Sequence, residues 1–167
     1  MTAKMLIDEG ADVHLTWMGR TPLQQVLINF DLDVGDDPER YEGCLRVLIS
    51  AGARVPDRNL LDACWNAGFL RILLDAGADV DHQDEHGSTA LMRVCKRKCV
   101  ESVRILLEAG ANTDLMDTGG RSAWYYALPK LKVGLREDRD RWWNAVSRSH
   151  AVFELMRNAA DPSRRAQ

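Results

Sequence analysis

The stretch Leu73-Leu74-Asp75-Ala76-Gly77-Ala78-Asp79-Val80 decides how the chain is read, because its pattern recurs. It returns as Leu6-Ile7-Asp8-Glu9-Gly10-Ala11-Asp12-Val13, as Leu48-Ile49-Ser50-Ala51-Gly52-Ala53-Arg54-Val55 and as Leu106-Leu107-Glu108-Ala109-Gly110-Ala111-Asn112-Thr113. A degraded copy, Leu155-Met156-Arg157-Asn158-Ala159-Ala160-Asp161-Pro162, closes the series. Two apolar residues running into a Gly mark the end of an amphipathic helix, since Gly takes the left-handed capping conformation without strain. Between these copies lies a second pattern: Gly19-Arg20-Thr21-Pro22-Leu23, Gly87-Ser88-Thr89-Ala90-Leu91 and Gly120-Arg121-Ser122-Ala123-Trp124. A Thr or Ser ahead of Pro or Ala opens a helix, the hydroxyl capping it and Pro fitting its first turn. Asp84-Glu85-His86-Gly87 and Asp117-Thr118-Gly119-Gly120 read as tight turns with Asp at the start and Gly at the end. Each unit therefore reads as turn, helix, short loop, helix, Gly cap.

These two signatures together resemble the ankyrin repeat, whose period is about 33 residues. Gly77 and Gly110 are 33 apart, whereas Gly10 to Gly52 is 42, Gly52 to Gly77 is 25 and Gly110 to Ala159 is 49. The resemblance implies an all-α fold, an ankyrin-repeat solenoid of stacked helix-turn-helix pairs with β-turn fingers. It implies one domain over residues 1–162: a half repeat at 1–13, a repeat with an acidic insert at 14–55, a shortened repeat at 56–80, a regular repeat at 81–113 and a C-terminal repeat with a long insert at 114–162. Residues 163–167 are expected to be a disordered tail.

The departures from the period locate the irregularities. The acidic insert follows Asn29 and carries Asp31, Asp33, Asp36, Asp37, Glu39 and Glu42 against Arg40, ahead of a helix over 41–49. The shortened repeat loses its finger, and its second helix, near 69–74, is expected to be clipped. The chain starts inside a repeat, which fits either a natural capping half-repeat or a piece of a longer array. Near the other end, apolar residues at 142, 145, 146, 152, 153 and 156 follow a helical stripe. They predict a long final helix that covers the last core layer, with the mixed-charge run 136–141 as its solvated extension.

Composition narrows the function. Of 167 residues, 46% are hydrophobic and 28% charged, close to a globular average, which excludes wholesale disorder. No apolar run reaches 18 residues, so no transmembrane helix is expected, and the acidic start does not resemble a signal peptide. The net charge of −3 argues against general phosphate-driven binding of nucleic acid. Four cysteines without an export signal point to a reducing compartment, the cytoplasm first and the nucleus as the alternative. There is no G-x-S-x-G, P-loop, H-E-x-x-H or G-x-G-x-x-G, so no enzyme is predicted, nor any cofactor. His82 and His86 span a turn rather than a helix face, and Cys95 and Cys99 flank Lys96-Arg97-Lys98, whose charge opposes a cation. No metal is expected, and Cys64 and Cys95 read as small core residues.

The resemblance implies a binding module for another protein, of unknown identity, working through finger tips and the exposed side of the first helices. The first finger offers Trp17, Met18 and Arg20, the finger of the regular repeat Glu85, His86 and Ser88, and the last finger Met116, Thr118 and Arg121. The first helices add Asn29, Asn66, Lys96, Arg97 and Lys130. Two large apolar residues at a turn tip are unusual, and Trp17 reads either as an interface anchor or as packing on the acidic insert or on the finger's own base. Trp124 is expected in the core, with Tyr125 bridging helix to finger, and one of Trp142 and Trp143 exposed. Two alternatives stand beside this reading: the recognition segment of a larger enzyme or effector, and a nucleic-acid binder centred on Lys96-Arg97-Lys98.

Overall fold

The computed structural model describes residues 3–32, 38–55, 58–128 and 139–160. The middle of the acidic insert, the segment holding Lys130 and the expected tail lie outside the described residues, as do the side chains of Asn29, Trp142 and Trp143. Nine helices are described: α1 Ala3–Asp8, α2 Pro22–Leu32, α3 Pro38–Ser50, α4 Arg58–Ala63, α5 Ala67–Asp75, α6 Ala90–Arg97, α7 Val100–Glu108, α8 Ala123–Ala127 and α9 Arg139–Ala160. Among the described residues β pairing is confined to two isolated bridges, Trp17 with Arg20 and Met116 with Ser122, so the fold class is all-α with turn fingers. The chain divides into two compact units, Met1–Asp79 and Val80–Gln167.

The recurring Gly pattern folds the same way four times. Gly10, Gly52, Gly77 and Gly110 all have φ between 85° and 89°. The amide after each Gly donates to the carbonyl five residues back: Ala11 to Leu6, Ala53 to Leu48, Ala78 to Leu73 and Ala111 to Leu106, all within 2.9–3.1 Å. These bonds satisfy carbonyls that the helix end would otherwise leave unpaired. In three of the four turns the small residue after Gly is also buried: Ala53, Ala78 and Ala111 are each less than a tenth exposed, whereas Ala11 is exposed.

Helix starts follow from the hydroxyl pattern. At α2, Thr21 and Gln24 cap each other: the Gln24 amide donates to Thr21 Oγ1 at 3.4 Å and the Thr21 amide to Gln24 Oε1 at 3.0 Å. This reciprocal pair satisfies two orphan donors at once. Thr89 caps α6 through the Met92 amide, and Asn66 caps α5 through the Phe69 amide.

Within the first unit, α1, α3 and α5 form one row and α2 and α4 the other. Their shared core is Leu23, Leu27, Leu45, Leu48, Leu60, Leu61, Phe69, Leu70 and Leu73. The shortened repeat differs from expectation. Helix α5 runs nine residues, the same as α7, so its second helix is not clipped. Its first helix as described, α4, has six residues against eight in α6. The Asn66 cap explains this, since it starts α5 two residues before Phe69 and gives it full length. Glu42, grouped with the acidic insert by sequence, is a packing residue as well: its carboxylate lies on Gly68 of α5, in space that any Cβ would fill.

Within the second unit, α6 and α8 form one row and α7 and α9 the other. Leu91, Met92, Val94, Val103, Leu106, Ala127, Val152 and Met156 are buried there. The long final helix is present as α9, 22 residues, and its Phe153 meets Trp124 edge-on at 5.6 Å. Trp124 is only half-buried, short of the full burial expected of it. Cys95 is fully buried against Met156, sulfur to sulfur 3.5 Å, and burial pushes its thiol pKa up to about 12. Such a thiol behaves as a core residue.

Candidate protein-interaction surface

The two fingers of the second unit are built alike. Each opens on an Asp and closes on a Gly in the left-handed region, Gly87 at φ 69° and Gly120 at φ 68°. The Gly87 amide donates to Asp84 O at 2.8 Å, and the Gly120 amide to Asp117 O at 2.9 Å. One carboxylate oxygen of each Asp then gathers the loop amides: Asp84 Oδ1 accepts from His86 and Ser88, and Asp117 Oδ1 from Gly119 and Arg121. The other oxygen is held from the helix that follows. Arg93 of α6 donates to Asp84 Oδ2 at 2.9 Å, and the Tyr126 hydroxyl of α8 to Asp117 Oδ2 at 2.5 Å. Arg93 and Tyr126 occupy the same repeat position, four residues past the helix cap.

Sequence reasoning assigned the helix-to-finger link to Tyr125. The hydroxyl that reaches the finger carboxylate is that of Tyr126, one residue on. Tyr125 instead sits beneath the Arg121 guanidinium, 5.9 Å from the ring centroid, with half its surface in solvent. Arg121 also pairs with Asp117 Oδ2 at 2.9 Å and covers Gly119. The Tyr126 hydroxyl first, and Arg121 second, hold the Asp117 carboxyl well below the usual carboxylate range. At Asp84, burial alone would raise the pKa. Donation from Arg93 and from the Ser88 and His86 amides outweighs burial and lowers it.

The fingers are tied to each other. The Thr118 amide donates to His86 O at 2.9 Å, and Gln83 Nε2 donates to both Gly87 O and Met116 O, at 2.7 and 3.0 Å. Gly87 is required twice over, by its φ and by the Asp117 backbone, whose Cα lies 3.1 Å from where a Cβ would stand. The result is a rigid rim that presents Glu85, His86, Arg121, Tyr125 and Met116 to solvent, with Ser88 half-buried. Lys96 and Arg97 are exposed on the last turn of α6, where cations complement the helix's negative end. Lys98 has a different role from its neighbours. It takes the left-handed conformation at φ 61° as the C-cap of α6, and its ammonium donates to Tyr126 O and Ala127 O at 2.6 Å and to Leu128 O at 3.3 Å. It thereby closes the C-terminal end of α8.

This repeating geometry of Asp-anchored finger, capped helix pair and Gly turn recurs at the period expected between 81 and 113. Residues 60–133 match the family described as ankyrin repeats (3 copies). Residues 60–133 are ankyrin repeats. A putative ankyrin repeat protein, L91, of Acanthamoeba polyphaga mimivirus is 32% identical over 114 residues, a match covering 59% of this chain. The chain spans only 17% of the length of that relative. Ankyrin repeats serve in general as protein–protein interaction modules.

The first finger, in the other unit and ahead of the family match, departs from the ankyrin fingers just described. Thr16 stands where they have Asp. The loop is a two-residue turn closed by reciprocal bonds between Trp17 and Arg20, 3.0 and 3.1 Å. Both central residues have positive φ, Met18 at 51° and Gly19 at 74°, the signature of a type I′ turn. Trp17 is 68% exposed and Met18 80%, so the tryptophan does not pack on the finger's base. Arg20 is exposed as well. The units also differ in charge: residues 1–79 hold seven Lys and Arg against thirteen Asp and Glu, and residues 80–167 fifteen against twelve.

Sequence reasoning missed Asp84, Asp117, Arg93, Tyr126 and Gln83 as the residues that build the rim. The signal available for them was register: Asp lies five residues before the helix cap in both fingers, and its partner four after. Among the described residues, no helix is long and apolar enough to cross a membrane, and no group of three or more His, Cys, Asp or Glu could hold a metal ion.

Proposed function

We propose that the chain is a non-enzymatic interaction module that binds a partner protein through its fingers and first helices. The observation that carries this reading is the Asp117–Arg121–Tyr126 lock. It holds Arg121 and Tyr125 outward on a finger whose backbone is already fixed, so little ordering entropy is lost on binding. In the second unit the contact residues are Glu85, His86, Ser88, Lys96, Arg97, Arg121 and Tyr125; in the first they are Trp17, Met18 and Arg20. Aromatic and Arg side chains at well-ordered positions are the usual energetic anchors of interfaces.

A groove of about 460 Å³ beside α7 and α9 offers no catalytic pairing. Its described lining is Arg104, Leu107, Glu108, Gly110, Leu155 and Ala159, without a thiol, imidazole or hydroxyl. All four cysteines are free thiols, which suits the reducing, cytoplasmic compartment we assign. The nucleic-acid reading loses Lys98 from its basic cluster, since that ammonium closes α8. A module within a longer protein is a second reading, favoured by the greater length of the viral relative.

Capture of a partner from the native host, followed by affinity measurements on Arg121→Ala and Trp17→Ala, tests the proposal. Either variant, folded by circular dichroism, weakens the complex at least about tenfold. A confirmed complex indifferent to both places the interface elsewhere.

A further inference from the structure

Arg20 and Arg121 stand at the same place in their fingers, each directly ahead of a helix cap, Thr21 for α2 and Ser122 for α8. Arg121 closes on the carboxylate four residues earlier, with Nη2 2.9 Å and Nε 3.0 Å from Asp117 Oδ2. Four residues before Arg20 stands Thr16, which carries no charge. Arg93, Arg104, Arg121 and Arg157 each pair with a carboxylate. Arg20 meets none among the described residues, although its unit holds thirteen Asp and Glu. The same finger sets an indole beside this guanidinium. Trp17 and Arg20 exchange both backbone hydrogen bonds, at 3.0 and 3.1 Å. Directly opposed residues of such a pair send their side chains to one side, with Cβ atoms about 5.5 Å apart. Met18 stands at the tip between them, in the left-handed conformation. Trp17 and Met18 are the two most exposed of the large hydrophobic residues described. Their exposure belongs to the finger position rather than to the lack of a neighbouring finger. Finger 117–121 is bonded to finger 84–88 through the Thr118 amide and His86 O, yet its Thr118, Gly119 and Arg121, the counterparts of Trp17, Met18 and Arg20, remain exposed.

We infer that finger 16–20 is a knob that enters an apolar pocket of the partner protein, and that an Asp or Glu side chain on the border of that pocket takes up Arg20 as Asp117 takes up Arg121. The Trp17 indole, large and rigid, fills the pocket, and the adaptable Met18 covers its edge. Trp and Arg are the side chains that most often carry the binding energy of an interface. A carboxylate accepts two parallel N–H bonds from a guanidinium, so the border acid fixes the orientation of the knob as well as holding it. A pocket bordered by Lys or Arg brings like charge against Arg20. One with no charged border strips water from the guanidinium and returns nothing to it. The inference rests on the protein-binding reading above and names the partner chemistry of its first finger.

The test selects a random peptide library, displayed on phage, on the 167-residue chain and depletes it on the Trp17→Ser variant, so that the retained peptides need the indole. Their Asp and Glu content, beside apolar residues, exceeds that of the unselected library about threefold or more. One retained peptide, fluorescein-labelled and read by anisotropy, binds Arg20→Gln about tenfold more weakly than the parent chain. Thr16→Asp gives Arg20 an internal carboxylate, as in finger 117–121, and weakens the same peptide about fivefold or more although it adds a bond to the fold. Selection on Arg20→Glu enriches Lys and Arg instead, and thermal unfolding of each variant confirms that it is folded. Retained peptides rich in Lys and Arg or indifferent to charge, no peptide that depends on Trp17, or a Thr16→Asp chain that binds like the parent overturns the inference. A natural partner whose affinity falls with Arg121→Ala but not with Trp17→Ser or Arg20→Gln keeps the general reading and removes this one.

Discussion

Fingers 84–88 and 117–121 are held from within, and finger 16–20 is not. In the first two, a single carboxylate collects the loop amides and is itself fixed by a side chain of the next helix. In the third, Thr16 replaces that carboxylate, and among the described residues the turn closes on its own backbone. The difference teaches where rigidity comes from in such a fold. Hydrogen bonds of backbone to backbone close a turn, but an acceptor shared between turn and helix fixes its direction. A finger without that acceptor keeps apolar side chains at its tip and an uncompensated backbone at Met18.

The largest effect that could break this comparison comes from adding one methyl group. Gly87→Ala forces a left-handed alanine against the Asp117 backbone and is expected to cost about 2–4 kcal/mol in denaturant unfolding. Gly19→Ala, with nothing within 4 Å of the new atom, costs only about 1 kcal/mol. Equal losses would mean that the fingers of the second unit are not packed as described. Next in size, Lys98→Ala removes a charged donor from three carbonyls and costs about 1.5–3 kcal/mol. Lys98→Gly costs less by about 1 kcal/mol, because Gly takes φ 61° without strain. If alanine and glycine behave alike at this position, the backbone there is not left-handed.

A pH titration sharpens the same contrast. Asp84 and Asp117 have carboxyls lowered below their unfolded value, near 3.9. Their contribution is therefore fully present above about pH 4 and is lost as pH falls through the folded-state values. Acid unfolding of Asp117→Asn should depend less steeply on pH than that of the parent, while Thr16→Ala should leave the slope unchanged. The smallest effect is a gain: Met18→Gly is expected to stabilise the chain by about 0.5–1 kcal/mol in thermal unfolding, by removing a left-handed side chain. A loss there would show that Met18 packs usefully in the free chain.

What could be read from the sequence was what is decided locally. The Gly10, Gly52, Gly77 and Gly110 turns and the Thr21 and Thr89 caps depend on a few neighbouring residues, and all six were legible. Tyr126 was not, because the choice between adjacent tyrosines depends on how a five-residue helix is rotated against its finger, and no pattern within five residues encodes that. Lys98 was grouped with Lys96 and Arg97 by charge, although its backbone conformation sends its side chain to a different helix. The length of α5 was misjudged because its start is set by an Asn cap outside the apolar stretch used to find it. The candidate surface was legible as a set of finger residues; the way the carboxylates aim them was not, since Asp84 and Asp117 look like ordinary turn residues in sequence.

The most direct test of the account is amide hydrogen exchange on the 167-residue chain, alone and saturated with its captured partner. The account predicts that the amides of Ser88, Thr118 and Arg121 are protected in the free chain, and that partner binding adds protection at 15–20, 84–88 and 116–121. Added protection confined to α7 and α9, with the fingers unchanged, would contradict it.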